Sequence, residues 1–281
     1  MDSIDIHGVR LEIAHIAGPS GPPPLVFLHE GLGSVSMWSH KGVSWPRLLC
    51  EATGRSGWLY SRRGYGRSDP VADVRGPSRS EGFWHVGRHE PDYMHREAWD
   101  VLPELLARLG IERPALVGHS DGATIALLHA SRHPVSACVA MAPHVFVEDV
   151  SIRSIEQARQ AYLGAHGPAQ DLRERLARHH RDVDNAFWQW NDVWLSDAFR
   201  AFNIEEDCAR ITAPLLVVQG EADEYGTMAQ VHAIKKQVAH ARVLALPACG
   251  HSPHRDASAA TTGALRHFFT ETAPSNGNSL I

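Results

Sequence analysis

Residues suited to nucleophilic chemistry stand in one short stretch, Gly118-His119-Ser120-Asp121-Gly122, between the apolar run 115–117 and a helical pattern of small residues at Ala123, Ala126, Leu127 and Ala130. A nucleophilic serine needs an exposed oxygen, a base beside it, and backbone N–H groups aimed at the oxyanion that forms. A tight strand-to-helix turn supplies the first and the third. Its flanking glycines permit a strained backbone and a close approach of strand and helix, and the helix N-terminus favours negative charge.

The orienting acid and the base are expected further along, each just beyond a strand and in that order. "PLLVVQGEADEYGT" sets Asp223 three residues past Gly220, and "LALPACGHSPHRD" sets His251 just after the next apolar run. Spacing favours Asp223 over Glu221 and Glu224. With 19 histidines in the chain, proximity to a motif means little; His251 is preferred to His254 for its position after the strand and the Gly250 before it. In these roles His251 takes and returns the Ser120 proton, while Asp223 fixes the imidazole tautomer and stabilises the imidazolium.

These residues need a scaffold, and the rest of the chain describes one. Ile4 and Ile6, then Val9, Leu11 and Ile13, alternate on either side of His7-Gly8, as in an N-terminal hairpin. Six short apolar runs follow, within "LVFLH", "GWLYS", "PALVGHS", "SACVAMAP", "PLLVVQG" and "ARVLALP". Each fits a strand buried on both faces of a largely parallel sheet. Between residues 91 and 110 the apolar positions Ala98, Val101, Leu102, Leu105, Leu106 and Leu109 form one helical stripe ended by Gly110, which Pro103 should kink or start. The alternation predicts an α/β fold, a mostly parallel central sheet with helices on both faces.

Residues 148–206 differ: they are helical in pattern, rich in charge and aromatics, and without a strand-like run. The expected organisation is a core first part over 1–147, a helical insertion over 148–206, a core second part over 207–273 and a flexible polar tail over 274–281.

Read together, these motifs resemble the α/β-hydrolase superfamily over nearly the whole chain. "HEGLG" is similar to the family's oxyanion loop, "SRRGYGRS" to its arginine-glycine turn, "GHSDG" to its nucleophile elbow, and "GEAD" with "CGH" to its acid and base. The resemblance implies the α/β-hydrolase fold, a helical cap at 148–206, and two backbone oxyanion donors, the N–H of Asp121 and one in the loop after His29, with Gly31 preferred among residues 30–32. Two positions depart from the pattern. Glu30 stands where the family commonly has glycine, and Ser61 where many relatives have aspartate, which removes the usual ion-pair partner of Arg63.

The aromatics of the inserted segment are mostly packing, since a cap must bury an apolar face. Trp190 and Trp194 are four apart on one helical face and are candidates to line a substrate pocket, as are Met37, Trp38 and His144. For Glu30 and Asp121 the plain alternative is that both side chains face solvent.

Composition narrows the function class. Lys and Arg number 27 against 32 Asp and Glu, a net charge of −5 without a block of like charge. Neither a nucleic-acid surface nor a membrane patch is suggested, and a small molecule is the expected partner. A homodimer is compatible with the sequence. The scattered Cys50, Cys138, Cys208 and Cys249 suggest buried free thiols. His179-His180 lack a convincing ligand set, so no metal is expected, and no phosphate loop or dinucleotide fingerprint calls for a cofactor. The N-terminus has no basic and apolar leader pattern, and no run is long enough to span a membrane, so the expected location is the cytoplasm.

Three functions follow as expectations. The first is a serine hydrolase of small carboxylic esters, thioesters or lactones, acting through an acyl-enzyme. The second keeps the same three residues but cleaves a carbon–carbon bond, as in relatives that act on aromatic ring-cleavage products. The third is a ligand sensor on a hydrolase fold.

Overall fold

The computed structural model describes residues 2–164 and 171–272, so the tail assigned to 274–281 lies outside the described residues. The alternating N-terminus forms β1 (Asp2–Ile6) and β2 (Val9–Ile16), paired antiparallel. His7 and Gly8 both have positive φ, 47° and 81°. That is the two-residue turn whose twist matches a hairpin.

The six apolar runs are strands: β3 (Leu25–Leu28), β4 (Gly57–Tyr60), β5 (Ala115–His119), β6 (Ala137–Met141), β7 (Leu215–Gly220) and β8 (Arg242–Leu246). With the hairpin they make one eight-stranded sheet in the order β1-β2-β4-β3-β5-β6-β7-β8. All pairings from β4 to β8 are parallel. Side chains along each strand alternate between two cores. On β5, Leu116 joins Val26, Leu28, Cys138 and Ala140 on one face, whereas Ala115 and Val117 join Leu25, Phe27 and Val139 on the other. Burial on both faces is why these strands read as continuous apolar runs.

The stripe before β5 is helical in three pieces, Tyr93–Arg96, a wider five-residue turn over Glu97–Val101, and Leu102–Arg108. Pro103 sits in the first turn of the last piece, where its missing N–H costs least. Two short antiparallel ribbons, Ser39–His40 with Val43–Ser44 and Arg79–Glu81 with Trp84–Val86, lie outside the main sheet. Strands of two or three residues are too short to give a periodic signal.

Between β6 and β7 the regular elements of the described residues are all helical: Asp149–Tyr162, Leu172–Ala177, Val183–Trp194, a tight turn over Asp197–Ala201, and Glu205–Cys208. Asp171, Asp182 and Ser196 start three of them by accepting a backbone N–H with the side chain. Val183–Trp194 packs its apolar face inward, with Phe187, Trp190, Val193 and Trp194 buried. Tyr162 stacks on Phe187 at 3.6 Å between ring centres and ties the first helix to the third. The four cysteines are buried and unbridged.

Candidate active site

Ser120 occupies the corner between β5 and the helix Asp121–Ala130 with φ 54° and ψ −121°. This backbone is uncommon for a residue with a Cβ and costs about 1–3 kcal/mol. The glycines on either side explain how it is held. A Cβ at Gly118 would collide with the Gly122 carbonyl, and one at Gly122 with the Leu28 carbonyl of β3. Gly122→Ala is therefore expected to lower stability by about 1–3 kcal/mol, the range for overpacking a tight site, and to displace Ser120. Denaturant melts together with activity check it; a variant with unchanged melt and turnover would contradict the close approach.

Three strand ends deliver the predicted trio to one place. His251 Nε2 lies 2.9 Å from Ser120 Oγ, and His251 Nδ1 lies 2.9 Å from each oxygen of the Asp223 carboxylate. Asp223 is fixed in turn: Gln219 Nε2 donates to Oδ2 at 2.7 Å, and the N–H groups of Tyr225 and Gly226 donate to Oδ1. Burial would push the Asp223 carboxyl up, but His251 and the Tyr225 N–H outweigh it and hold it below its ordinary range. For His251, burial disfavours the charged ring, whereas the hydrogen bond and charge of Asp223, then Glu224 and Glu30, favour it; the net direction is upward. Because a base works only when deprotonated, kcat/KM is expected to rise with pH, with its midpoint on the alkaline side of about 6.5, the ordinary histidine value. A pH–rate profile checks this, and a midpoint on the acid side would contradict the assigned environment.

Asp121 begins the helix, so its N–H has no intrahelical acceptor. The loop after β3 is oriented by Arg62, whose guanidinium donates to the carbonyls of His29 at 2.6 Å and Glu30 at 3.0 Å. In a trans peptide the N–H points opposite to the C=O. Pinning the Glu30 carbonyl on Arg62 therefore turns the Gly31 N–H away from Arg62, whereas the Gly33 N–H is spent on the Glu30 carbonyl. Trp190 lies so close over Gly31 that any Cβ there would strike its ring.

A cavity of about 640 Å³, counting its open mouth, connects these groups. Its walls include Gly31, Ser120, Asp121, His144, Trp190, Trp194 and His251. Met37 and Trp38 are placed elsewhere. The short helical turn Val35–Trp38 directs Trp38 into the opposite core, where it is 3 % exposed and packs on Trp45 and His254, while Met37 is half-buried against packing residues. Nearness in sequence to the oxyanion loop did not fix the direction of these side chains. His144 is held neutral, since burial pulls it down to about 3. His254 is also buried, under Trp38, Trp45 and His119, and burial draws it far below the ordinary value.

Of the acidic pair beside Ser120, Asp121 is buried and Glu30 is partly exposed at the cavity wall. Asp121 is 1 % exposed and accepts the Tyr93 hydroxyl at 2.5 Å; Trp194 Nε1 donates to that same hydroxyl oxygen at 3.0 Å. Glu30 lies 3.4 Å from His119 Nδ1 and 3.7 Å from Arg255. His119 Nε2 is 2.7 Å from the carbonyl oxygen of His251. The ring thus ties the loop that carries His251 to β5. Glu30 is held well below its ordinary range: burial opposes that, but His119 and Arg255 overcome it.

Sequence reasoning missed Arg62, Tyr93 and the partner of Ser61. The Ser61 hydroxyl donates to Glu12 Oε2 at 2.7 Å, and the Arg67 N–H reaches the same oxygen. A carboxylate from β2 thus occupies the neighbourhood where relatives use aspartate, and Arg63 instead donates to the carbonyls of Pro70 and His85. The second arginine of "SRRG" drew the attention; burial singles out the first. His180, beside His179, serves as a strut, accepting from the Gly66 N–H and donating to the Leu32 carbonyl. Among the described residues no cluster of three or more His, Cys, Asp or Glu is placed to hold a metal ion, and no helix is long and apolar enough to cross a membrane.

Solved structures share this architecture. An enol-lactonase from Burkholderia xenovorans LB400 superposes with a TM-score of 0.70 at 21 % identity, covering 96 % of this chain and 100 % of that one. A structure described among carboxylesterases of Nitrososphaera gargenis gives 0.69 at 15 % identity, over 96 % and 98 %. The meta-cleavage product hydrolase of Pseudomonas fluorescens IP01 gives 0.67 at 16 % identity, over 96 % and 98 %. At such identities these likenesses establish the fold alone. The sequence model described as "Alpha/beta hydrolase family" matches residues 25–264, and the chain belongs to that family.

Proposed function

We propose that the protein is a serine hydrolase of small carboxylic esters, with lactones and thioesters as close variants. The observation that carries the reading is the unbroken chain Ser120 Oγ, His251 Nε2, His251 Nδ1, Asp223 carboxylate, with every step at 2.9 Å. Ser120 Oγ attacks the carbonyl carbon as His251 Nε2 accepts its proton. The tetrahedral oxyanion is held by the N–H groups of Asp121 and Gly31, and its collapse expels the alcohol or thiol, which takes the proton back from His251. Water, deprotonated by the same ring, then cleaves the acyl-enzyme and regenerates Ser120.

The helices of the inserted segment act as the cap over this site. Trp190 and Trp194 from that segment, with Ile155 and Tyr225, give the cavity an apolar side suited to a modest acyl or aryl group. Glu30 and Glu224, at the same cavity, disfavour substrates with a carboxylate next to the scissile bond.

The test is a hydrolysis panel of purified protein against short esters, lactones, thioesters and a vinylogous diketone. Turnover of the esters or lactones is expected. Turnover of the diketone alone would replace the reading with carbon–carbon hydrolysis, and tight binding of a compound without turnover of any class would replace it with ligand sensing.

A further inference from the structure

A second cavity, of about 620 Å³ counting its mouth, opens beside the catalytic one between the Arg79–Glu81/Trp84–Val86 ribbon and the helical run that begins at Tyr93. Its walls include Arg62, Arg63, Tyr65, Phe83, Trp84 and Tyr93, none of which lines the catalytic cavity.

Its chemistry is that of a planar anion site. Phe83 meets Trp84 edge-on at 5.2 Å, and the Arg63 guanidinium lies 5.3 Å from the Trp84 ring centre. Arg62 and Arg63 satisfy themselves on backbone carbonyls alone. Of the arginines lining the cavity, only Arg96 has a carboxylate partner among the described residues, Asp92 at 2.7 Å. The Tyr65 hydroxyl is buried without a hydrogen-bond partner although the residue is 2 % exposed. Glu97, the buried acid of the wall, already accepts the Tyr60 hydroxyl at 2.7 Å. An arginine fork pairs best with a flat, two-oxygen anion, and aromatic walls suit a flat ring.

We propose that this cavity is a binding site for a small aryl carboxylate, its carboxylate on Arg63 and its ring against Phe83 and Trp84. The floor of the site gives occupancy a route to the chemistry. Tyr93 holds the Asp121 carboxylate and Arg62 holds the His29 and Glu30 carbonyls, so the two residues brace both sides of the assigned oxyanion hole. An occupant therefore acts on kcat and leaves substrate binding in the other cavity unblocked. That second statement rests on the hydrolase reading; the binding itself does not.

Benzoate is the probe, titrated by calorimetry into wild-type and Ser120→Ala protein. Saturable binding with the same affinity in both is expected, together with none for benzyl alcohol. Arg63→Gln should weaken binding by about tenfold or more, the loss of one charge-assisted hydrogen bond, while ester turnover without benzoate stays at the wild-type rate. Phe83→Ala, at a half-buried position, provides a second variant with the same expected loss. No saturable heat, or unchanged affinity in both variants, would overturn the proposal. So would loss of benzoate binding when Ser120 carries a phosphonate, or inhibition of ester hydrolysis that is purely competitive, because either would put benzoate in the catalytic cavity. Failure of the ester panel would leave the calorimetric result standing.

Discussion

Ser120→Ala is expected to lower hydrolysis by about ten-thousand-fold or more, the scale seen when a serine nucleophile is removed while the oxyanion site remains. The same change should abolish covalent labelling by a serine-directed phosphonate. It deletes one oxygen at a surface the cavity already exposes, so the melt should stay close to wild type. Each part has its own physical cause: loss of attack from Oγ, loss of the phosphonylation site, and retention of Gly118 and Gly122, which hold the turn. Steady-state hydrolysis reads the first, mass spectrometry of phosphonate-treated protein the second, and a denaturant melt the third. Phosphonate found on Ser120→Ala protein would move the nucleophile elsewhere.

The second large effect separates two histidines that the sequence places three residues apart. His251→Ala should remove turnover nearly as completely as Ser120→Ala, since among the described residues His251 is the side chain hydrogen-bonded to Oγ. Asp223→Asn should cost about ten-thousand-fold, because an amide in that place favours the wrong imidazole tautomer. His254→Ala predicts the opposite pattern. Its ring fills a buried space among Trp38, Trp45 and His119, so the loss should appear as about 2–4 kcal/mol of stability, with kcat near wild type. Parallel denaturation and steady-state kinetics on the two variants distinguish them. An inactive but stable His254→Ala protein would reverse the assignment.

Most of the fold was legible because its signals are local. Each central strand is a short, largely apolar run, and the two glycines of Gly-His-Ser-Asp-Gly mark a close approach in the sequence itself, although one of the groups approached, the Leu28 carbonyl, lies on β3. Asp223 and His251 were legible for a related reason: each follows the end of a strand, where side chains of a parallel sheet converge. What stayed hidden depends on contacts between distant segments. Glu12 lies 49 residues from Ser61, and Tyr93 lies 28 from Asp121; no periodicity connects them. Arg62 could not be told from Arg63 because adjacent residues on an irregular turn differ in direction, and only burial decides which guanidinium reaches the oxyanion loop. Trp38 failed for the same cause. The ribbon Arg79–Glu81/Trp84–Val86 escaped notice because its strands are three residues each and are fixed by distant contacts, as with the Trp84 indole donating to the Ile6 carbonyl.

The order of strands has a consequence for how this protein acquires its activity. Ser120 and His251 are 131 residues apart in the chain, and the imidazole follows β8, the edge strand, which is held in the sheet by its pairing with β7. A parallel pairing of that kind has no hairpin precursor and needs its crossover, here the segment 221–241 with the helix Met228–Gln237, to be ordered. No fragment ending before β8 contains the Ser120–His251–Asp223 chain of contacts, and with its last strand frayed the protein would keep Ser120 in place while His251 leaves it. Under the proposed reading, turnover during refolding thus reports on the docking of one edge of the sheet.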